Sequence, residues 1–347
     1  MKRVIFTTVQ DNLEARKMLE LALKSFYAFN SGFDFKVFCL DNSKDKFKEY
    51  FDKFEFENLE FINFKDGTKW NNYLEHLERD ELTDLEKKNI FISDPEMYIF
   101  DTSVCISKIE IIDLLLEEYD LVIASDIDLV FVNPISKSLN AFLQSGKFLG
   151  AVCESIIQTT SNHKMSFSAS FMYFNKNSKD RVLNLMDKSL YSLKYEDLRE
   201  IPSFNKVGFD GKKFCFSFFE QDLLDYFIKD YFLLNNFIAN TSVQNNNFLK
   251  YLFDLDNFEL IHFAGSFLKP FYKFDREDDV FFENNFCLPV RTFYSNLFKV
   301  FNVDIDFITK RIIFTTSAIS IHKFFCDLII KIKKRLKIKK NVYVLKK

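Results

Sequence analysis

The sequence predicts an α/β protein with a central, mixed but mostly parallel sheet flanked by helices, on three observations. An unbroken apolar run, Leu121 to Ala124, stops on two carboxylates, Asp126 and Asp128, and resumes at Leu129. Apolar at every position, with no alternation, it reads as a strand covered on both faces, the signature of a parallel sheet's interior. Residues 3–40 read as strand, helix and strand in succession. With 48% hydrophobic residues over 347 positions, the chain is folded and long enough for a large core.

Taken in order, Val4 to Val9 opens as a strand and passes through Gln10, Asp11 and Asn12 into a helix marked by Met18, Leu19, Leu21, Leu23 and Phe26. Phe35 to Leu40 is a second strand, ending at Asp41 and Asn42. Residues 43–100 are charged and aromatic, with helical stretches around the only tryptophan, Trp70, and read as an insertion or a cover over a pocket. Ile109, Ile112, Leu115 and Leu116 space a helix over 106–116 that feeds the strand before the acid pair. Leu260 and Ile261 form a short apolar run ending at His262.

The acid pair carries the chemistry. An unpaired carboxylate inside an apolar run costs several kcal/mol, so Asp126 and Asp128 call for a cation. A hard divalent metal that also holds phosphates is one such cation, and the carboxyl end of a strand is where open α/β sheets put their ligands. Asp-x-Asp alone is also an ordinary cap or turn, and a lone histidine on an apolar strand is ordinarily a satisfied core residue. Their combination with Gly265, Lys269, Pro270 and Phe271 shifts the balance. Histidine is a metal ligand, glycine lets a backbone approach phosphate, and lysine supplies a point charge for its oxygens.

Asp126-x-Asp128 after a hydrophobic strand, followed late by His262, Gly265, Lys269 and Pro270, resembles glycosyltransferase family 8. That family comprises retaining GT-A enzymes, including glycogenin and bacterial lipooligosaccharide galactosyl- and glucosyltransferases. The likeness covers roughly residues 3 to 272 and departs in detail: the lysine stands four positions after Gly265 instead of three, and Phe271 replaces the usual tryptophan. It implies a GT-A-like (Rossmann-like nucleotide-diphospho-sugar transferase) fold and transfer of a hexose, glucose or galactose, from a UDP-sugar to a hydroxyl of a surface glycan or glycolipid. Asp126, Asp128 and His262 would be the ligands of Mn²⁺ or Mg²⁺, with Asp126 also touching the ribose. Thr7, Thr8, Asp11, Lys108, Gly265 and Lys269 would hold the donor. Lys108 lies near the family's cation on that helix, although a solvated lysine there would be unremarkable.

Gly150 to Glu154 and Phe167 to Asn175 match the two strands that follow the acid pair, with Ser168-Ala169-Ser170 where the family has Asn-x-Gly. Phe219 to Leu224 resembles its Asp-Gln-Asp segment, with Glu220 in place of aspartate, though acids are favoured in any helix's first turn. Glu220, Gln221 and Glu154 would then be the catalytic and positioning residues. The substitutions leave a second class open: a non-catalytic sugar-nucleotide binder or a scaffold of glycan assembly.

Composition sets the remaining bounds. Phenylalanine occurs 46 times without a fixed spacing and reads as a general core filler, not a binding stripe. The six cysteines form no Cys-x-x-Cys pair and no regular spacing, so neither a zinc site nor a disulfide framework is indicated, and they point to reduced thiols in a cytoplasmic protein. No signal segment separates Met1-Lys2-Arg3 from the first strand. His76, His163 and His322 lie in polar surroundings and read as surface residues.

The expected division is a transferase domain at 1–272 and a helical region at 273–347. Residues 310–347 hold twelve Lys and Arg against one acid, Asp327, a net +11 that leaves −14 on the rest. Ile321, Phe324, Phe325, Leu328, Ile332 and Leu336 line one face of a helix there, the pattern of a basic amphipathic segment on an anionic membrane surface. Lys323, Asp327 and Lys331 interrupt any span of the ~20 apolar residues that crossing requires. The expected location is therefore cytoplasmic and peripheral, on the inner face of the membrane. Docking onto the chain's own acidic body is the competing reading. Nucleic acid is disfavoured, because a nucleic-acid protein carries its basic face on the fold itself.

Overall fold

A computed structural model of the protein describes residues 1–64, 95–154, 166–178, 206–207, 213–214, 230–240, 258–263, 288–304 and 326–336. In chain order its elements are β1 Arg3–Val9, α1 Leu13–Phe29, β2 Asp34–Cys39, α2 Lys44–Phe51, β3 Leu59–Asn63, α3 Pro95–Glu118, β4 Leu121–Ser125 and β5 Leu129–Phe131. There follow α4 Ser136–Ser145, β6 Leu149–Glu154, β7 Ser166–Asn175, β8 Lys206–Val207, β9 Lys213–Phe214, β10 Phe232–Leu233, β11 Ile238–Asn240, β12 Leu260–His262, α5 Leu288–Val300 and α6 over 326–336.

The start of α1 shows how local sequence fixes an element. Asn12 is extended, and its side-chain oxygen accepts the Ala15 N–H at 2.7 Å, satisfying one of the helix's orphan donors. Asp11 then holds the Arg16 guanidinium through two bonds, Nε at 2.7 Å and Nη2 at 2.9 Å. On the core side Phe26 meets Phe33, Phe35 and Phe131 edge-on, with centroids 5.7, 5.3 and 5.2 Å apart. Phenylalanine fills the core here in the geometry aromatic pairs prefer.

Seven strands form the main sheet in the order β10-β6-β7-β4-β1-β2-β3. All pairs are parallel except those made by β7, which runs antiparallel to both β6 and β4. The sheet is thus mixed and mostly parallel, as the sequence predicts. Every residue of β4 is buried, in keeping with its unbroken apolar run. A smaller sheet, β11-β12-β5, pairs β12 antiparallel to β5, and β8 with β9 makes a separate antiparallel pair.

The carboxyl-terminal segments join the same core. Val290, Phe293, Tyr294, Leu297 and Phe298 of α5 belong to the main cluster, as do Leu328 and Ile332 of α6. Arg335 of α6 donates to the Val132 carbonyl at 3.3 Å. Three residues of the tail's apolar face, the half-buried Leu336 included, therefore lie against the chain's own body, while Lys331, Lys333 and Lys334 face outward. The rest of the tail lies outside the described residues. No helix among the described residues is long and apolar enough to cross a membrane.

Candidate active site

The acid pair stands in the turn between β4 and β5, and its placement follows from three strand contacts. β4 lies beside β1 in parallel register, Phe6 against Ala124, which puts Thr7 and Thr8 at the same end of the sheet. From β7, the Ser170 carbonyl accepts the Asp126 N–H at 2.8 Å. On the far side of the turn β5 pairs antiparallel with β12, His262 opposite Leu129, and Phe263 donates its N–H to the Asp128 carbonyl at 3.0 Å. That register brings the histidine from late in the chain onto the acid pair.

β12 is itself anchored. Glu259, one residue before it, accepts the backbone N–H groups of Lys137 and Ser138 in the first turn of α4 at 2.8 and 3.0 Å. A carboxylate at a helix amino terminus answers the orphan N–H groups and the helix dipole together. Burial nevertheless pushes its carboxyl up, the α4 hydrogen bonds opposing. The clamp fixes where His262, three residues on, emerges.

The resulting cluster can hold a cation. One ligand atom from each of Asp126, Asp128 and His262 lies within 4.8 Å of the others, and His262 Nε2 is 3.5 Å from Asp128 Oδ1. Two carboxylates and an imidazole suit a divalent ion such as Mn²⁺ or Mg²⁺ and lack the thiolates of a structural zinc site. Lys108, on α3, is buried and its ammonium contacts Asp126 Oδ1 directly. The cation that the apolar surroundings demand is thus supplied within the chain for Asp126. Burial, reinforced by the charge of Asp128, pushes the Asp126 carboxyl up; Lys108 and His262 pull it down.

The other predicted residues divide clearly. Thr7 and Thr8 are buried at the end of β1, and Thr7 Oγ1 has no hydrogen-bond partner among the described residues. Asp11 lies beyond that strand, paired with Arg16 and with Lys46 at 3.3 Å, its carboxyl held below the usual range chiefly by Arg16. Glu154 ends β6, opposite Ser166. Ser168 and Ser170 are buried and bonded to each other, Oγ to Oγ at 2.9 Å. Glu220, Gln221, Gly265 and Lys269 lie outside the described residues, as do Trp70, His76, His163 and His322.

Sequence reading missed three residues that support the site, of which the Glu259 clamp is one. The Ser170 carbonyl acts through its backbone, which leaves no residue-type signal. Tyr294 of α5 stacks on Phe263 with centroids 3.9 Å apart, and no motif marks it; only its place on the apolar face of a helix could have drawn attention to it.

No protein-family model matches the chain, and no curated protein matches it in sequence. Among solved structures it is similar to mouse xyloside xylosyltransferase 1 in its apo form, with 12% identity over 77% of this chain and 98% of that one, at a TM-score of 0.51. The galactosyltransferase LgtC, in complex with donor and acceptor sugar analogues, aligns at 13% identity over 85% of this chain and 94% of that one, at a TM-score of 0.48. At these identities the likeness is one of fold, and the first of the two identifies it as that of a GT-A glycosyltransferase.

Proposed function

We propose that this protein is a metal-dependent retaining glycosyltransferase that moves a hexose from a UDP-sugar to a hydroxyl of a surface glycan or glycolipid such as lipooligosaccharide. The observation that carries the reading is the β5·β12 register, which gathers Asp126, Asp128 and His262 at the carboxyl ends of the sheet strands. The xylosyltransferase fold and the sequence resemblance to family 8 support the same class.

Asp126, Asp128 and His262 would hold the cation. Bound there, a divalent ion would offset the charge that develops on the diphosphate as the sugar leaves. Lys108 faces this position from α3 and adds positive charge on the side of Asp126. Lys269, with the Gly265 backbone, is assigned to the phosphates, and Thr7 and Thr8 to the nucleoside. Asp11 is assigned an indirect part, holding Arg16 at the start of α1, since its carboxylate is already engaged.

Retention of configuration is assigned to front-face departure, in which the leaving phosphate oxygen takes the acceptor proton. Glu220, Gln221 and Glu154 position sugar and acceptor in this scheme. A glycosyl adduct trapped on Glu220 would replace it with a double displacement. The basic tail is assigned to an anionic membrane surface on the cytoplasmic face, through Lys331, Lys333 and Lys334.

Incubation with a panel of UDP-hexoses and Mn²⁺ tests the whole reading. Release of UDP that requires the metal supports it. A thermal shift with no UDP released would assign a binder instead of a transferase.

A further inference from the structure

Beside Asp126 the backbone ladder of the main sheet gives way to bonds made by serines. Asp126 stands opposite Ser170, one step beyond the Ser125–Phe171 pair of β4 and β7. Residues directly opposite in an antiparallel ladder exchange either two N–H···O bonds or none. Here one of the two is made, from the Asp126 N–H to the Ser170 carbonyl at 2.8 Å. The Ser170 N–H turns instead to the hydroxyl of Ser168, on its own strand, at 3.4 Å. The Asp126 carbonyl accepts the Ser125 hydroxyl at 3.1 Å.

The other side of β7 is irregular at the same point. Ala151 of β6 pairs with Met172 and the next residue, Val152, with Ser168, so the register skips Ala169, Ser170 and Phe171. Such a bulge bends its strand and re-aims the groups it carries. Ser168 braces it from within: its Oγ accepts the Ser170 N–H and donates to the Ser170 Oγ at 2.9 Å. Both serines are 3% exposed, so water does not compete for these bonds, and an alanine at 168 would take the acceptor from a buried N–H.

We propose that Ser168 is a positioning residue of the candidate cation site. Its hydroxyl fixes the bulged Ser170 backbone, and the Ser170 carbonyl in turn fixes the Asp126 backbone, from which the carboxylate reaches toward Asp128 and His262. The proposal rests on the metal reading above, and metal ligands are ordinarily held by outer partners of this kind. It gives a role to Ser168-Ala169-Ser170, the stretch at which the chain departs from the family it resembles.

The test compares the full chain with its Ser168→Ala and Ser170→Ala variants, using Mn²⁺ alone as the probe and no sugar nucleotide. Hydrogen–deuterium exchange of the metal-free proteins, resolved to single amides, reads the hold on Asp126 directly. In Ser168→Ala the Asp126 amide should exchange about tenfold faster relative to the β1 amides, which report any loss of global stability. The Kd for Mn²⁺, measured by electron paramagnetic resonance of the free ion, should rise about tenfold. Ser170→Ala keeps the backbone bonds to Ser168 and Asp126 and should change either quantity by less than about threefold. Asp126 exchange that is unchanged in Ser168→Ala, or that merely follows the β1 amides, would overturn the proposal, as would equal effects of the two variants. Faster exchange with a Mn²⁺ Kd within about twofold of the parent's would overturn the role of Ser168 while leaving the cation site standing. If the parent itself fails to bind Mn²⁺, the metal reading falls and this proposal with it.

Discussion

Lys108→Met removes the cation that faces Asp126 and keeps an unbranched apolar side chain in its place. Taking one partner from a fully buried ion pair costs about 3–5 kcal/mol. The lysine side chain is 5% exposed but that of Asp126 is 31% exposed, so water recovers part of the loss. We therefore expect a cost of about 2 kcal/mol, below the fully buried range. At roughly 2–4 °C per kcal/mol for domains of 150–250 residues, and less for a longer chain, the metal-free protein should melt about 2–4 °C lower. The same change frees an Asp126 oxygen for a competing cation, so Mn²⁺ should recover more than it gives the parent. A ligand at one hundred times its Kd stabilises by about 2.7 kcal/mol, and each tenfold gain in affinity adds about 1.4 kcal/mol. Differential scanning fluorimetry over a Mn²⁺ titration measures both quantities. An unchanged metal-free Tm, or a Mn²⁺ gain no larger than the parent's, would refute the idea that lysine and metal compete for one carboxylate.

Asp128→Asn should lower turnover of the UDP-sugar by orders of magnitude with a nearly unchanged circular dichroism spectrum, and His262→Ala should do so less severely; near-normal rates at saturating Mn²⁺ would remove both from the site. Reversing Lys331, Lys333 and Lys334 to glutamate should abolish sedimentation with anionic vesicles, at about 1 kcal/mol per basic residue, and leave Tm and UDP-sugar hydrolysis unchanged. Vesicle binding that survives the reversal, or that is insensitive to salt, would refute the electrostatic assignment. Arg16 depresses the Asp11 pKa in the folded state, so this pair stabilises fully above the unfolded value of about 3.9 and is lost as pH falls through the lower, folded one. Asp11→Asn should accordingly show its Tm deficit at pH 6–7 and lose it well below pH 4, and a deficit independent of pH would argue against the ion pair.

Much of the fold was legible because burial leaves a period in the sequence. Leu121 to Ala124 read as a doubly covered strand and is one, and the spacing of Met18, Leu19, Leu23 and Phe26 marked α1. The candidate cation site was legible because Asp126, Asp128 and His262 are polar groups at the ends of apolar runs, where a cost demands a reason. Periodicity says that a residue is covered but not by what. The tail shows this: its apolar stripe suits a lipid surface or the chain's own body equally, and Leu328 and Ile332 are covered by the chain's own core. Lys108 shows it again, since one helical lysine looks like another until the fold sets it against Asp126. Tyr294 left only the apolar period of α5, which packing alone would produce.

The β5·β12 pairing also bears on how the molecule is made. β1 to β4 are drawn from the first part of the chain and can pair as it emerges from the ribosome, whereas β12 must return across a long stretch of sequence to reach β5. Such a late, non-local contact closes slowly, because the chain gives up loop entropy before the pairing rewards it. On the proposed metal reading, a nascent chain carrying Asp126 and Asp128 but not yet His262 would lack one of the three ligands and hold divalent ions weakly. Metal capture would then report completion of the body of the protein, and a truncated translation product would emerge metal-poor and with β5 unpaired, an exposed edge that invites aggregation or proteolysis.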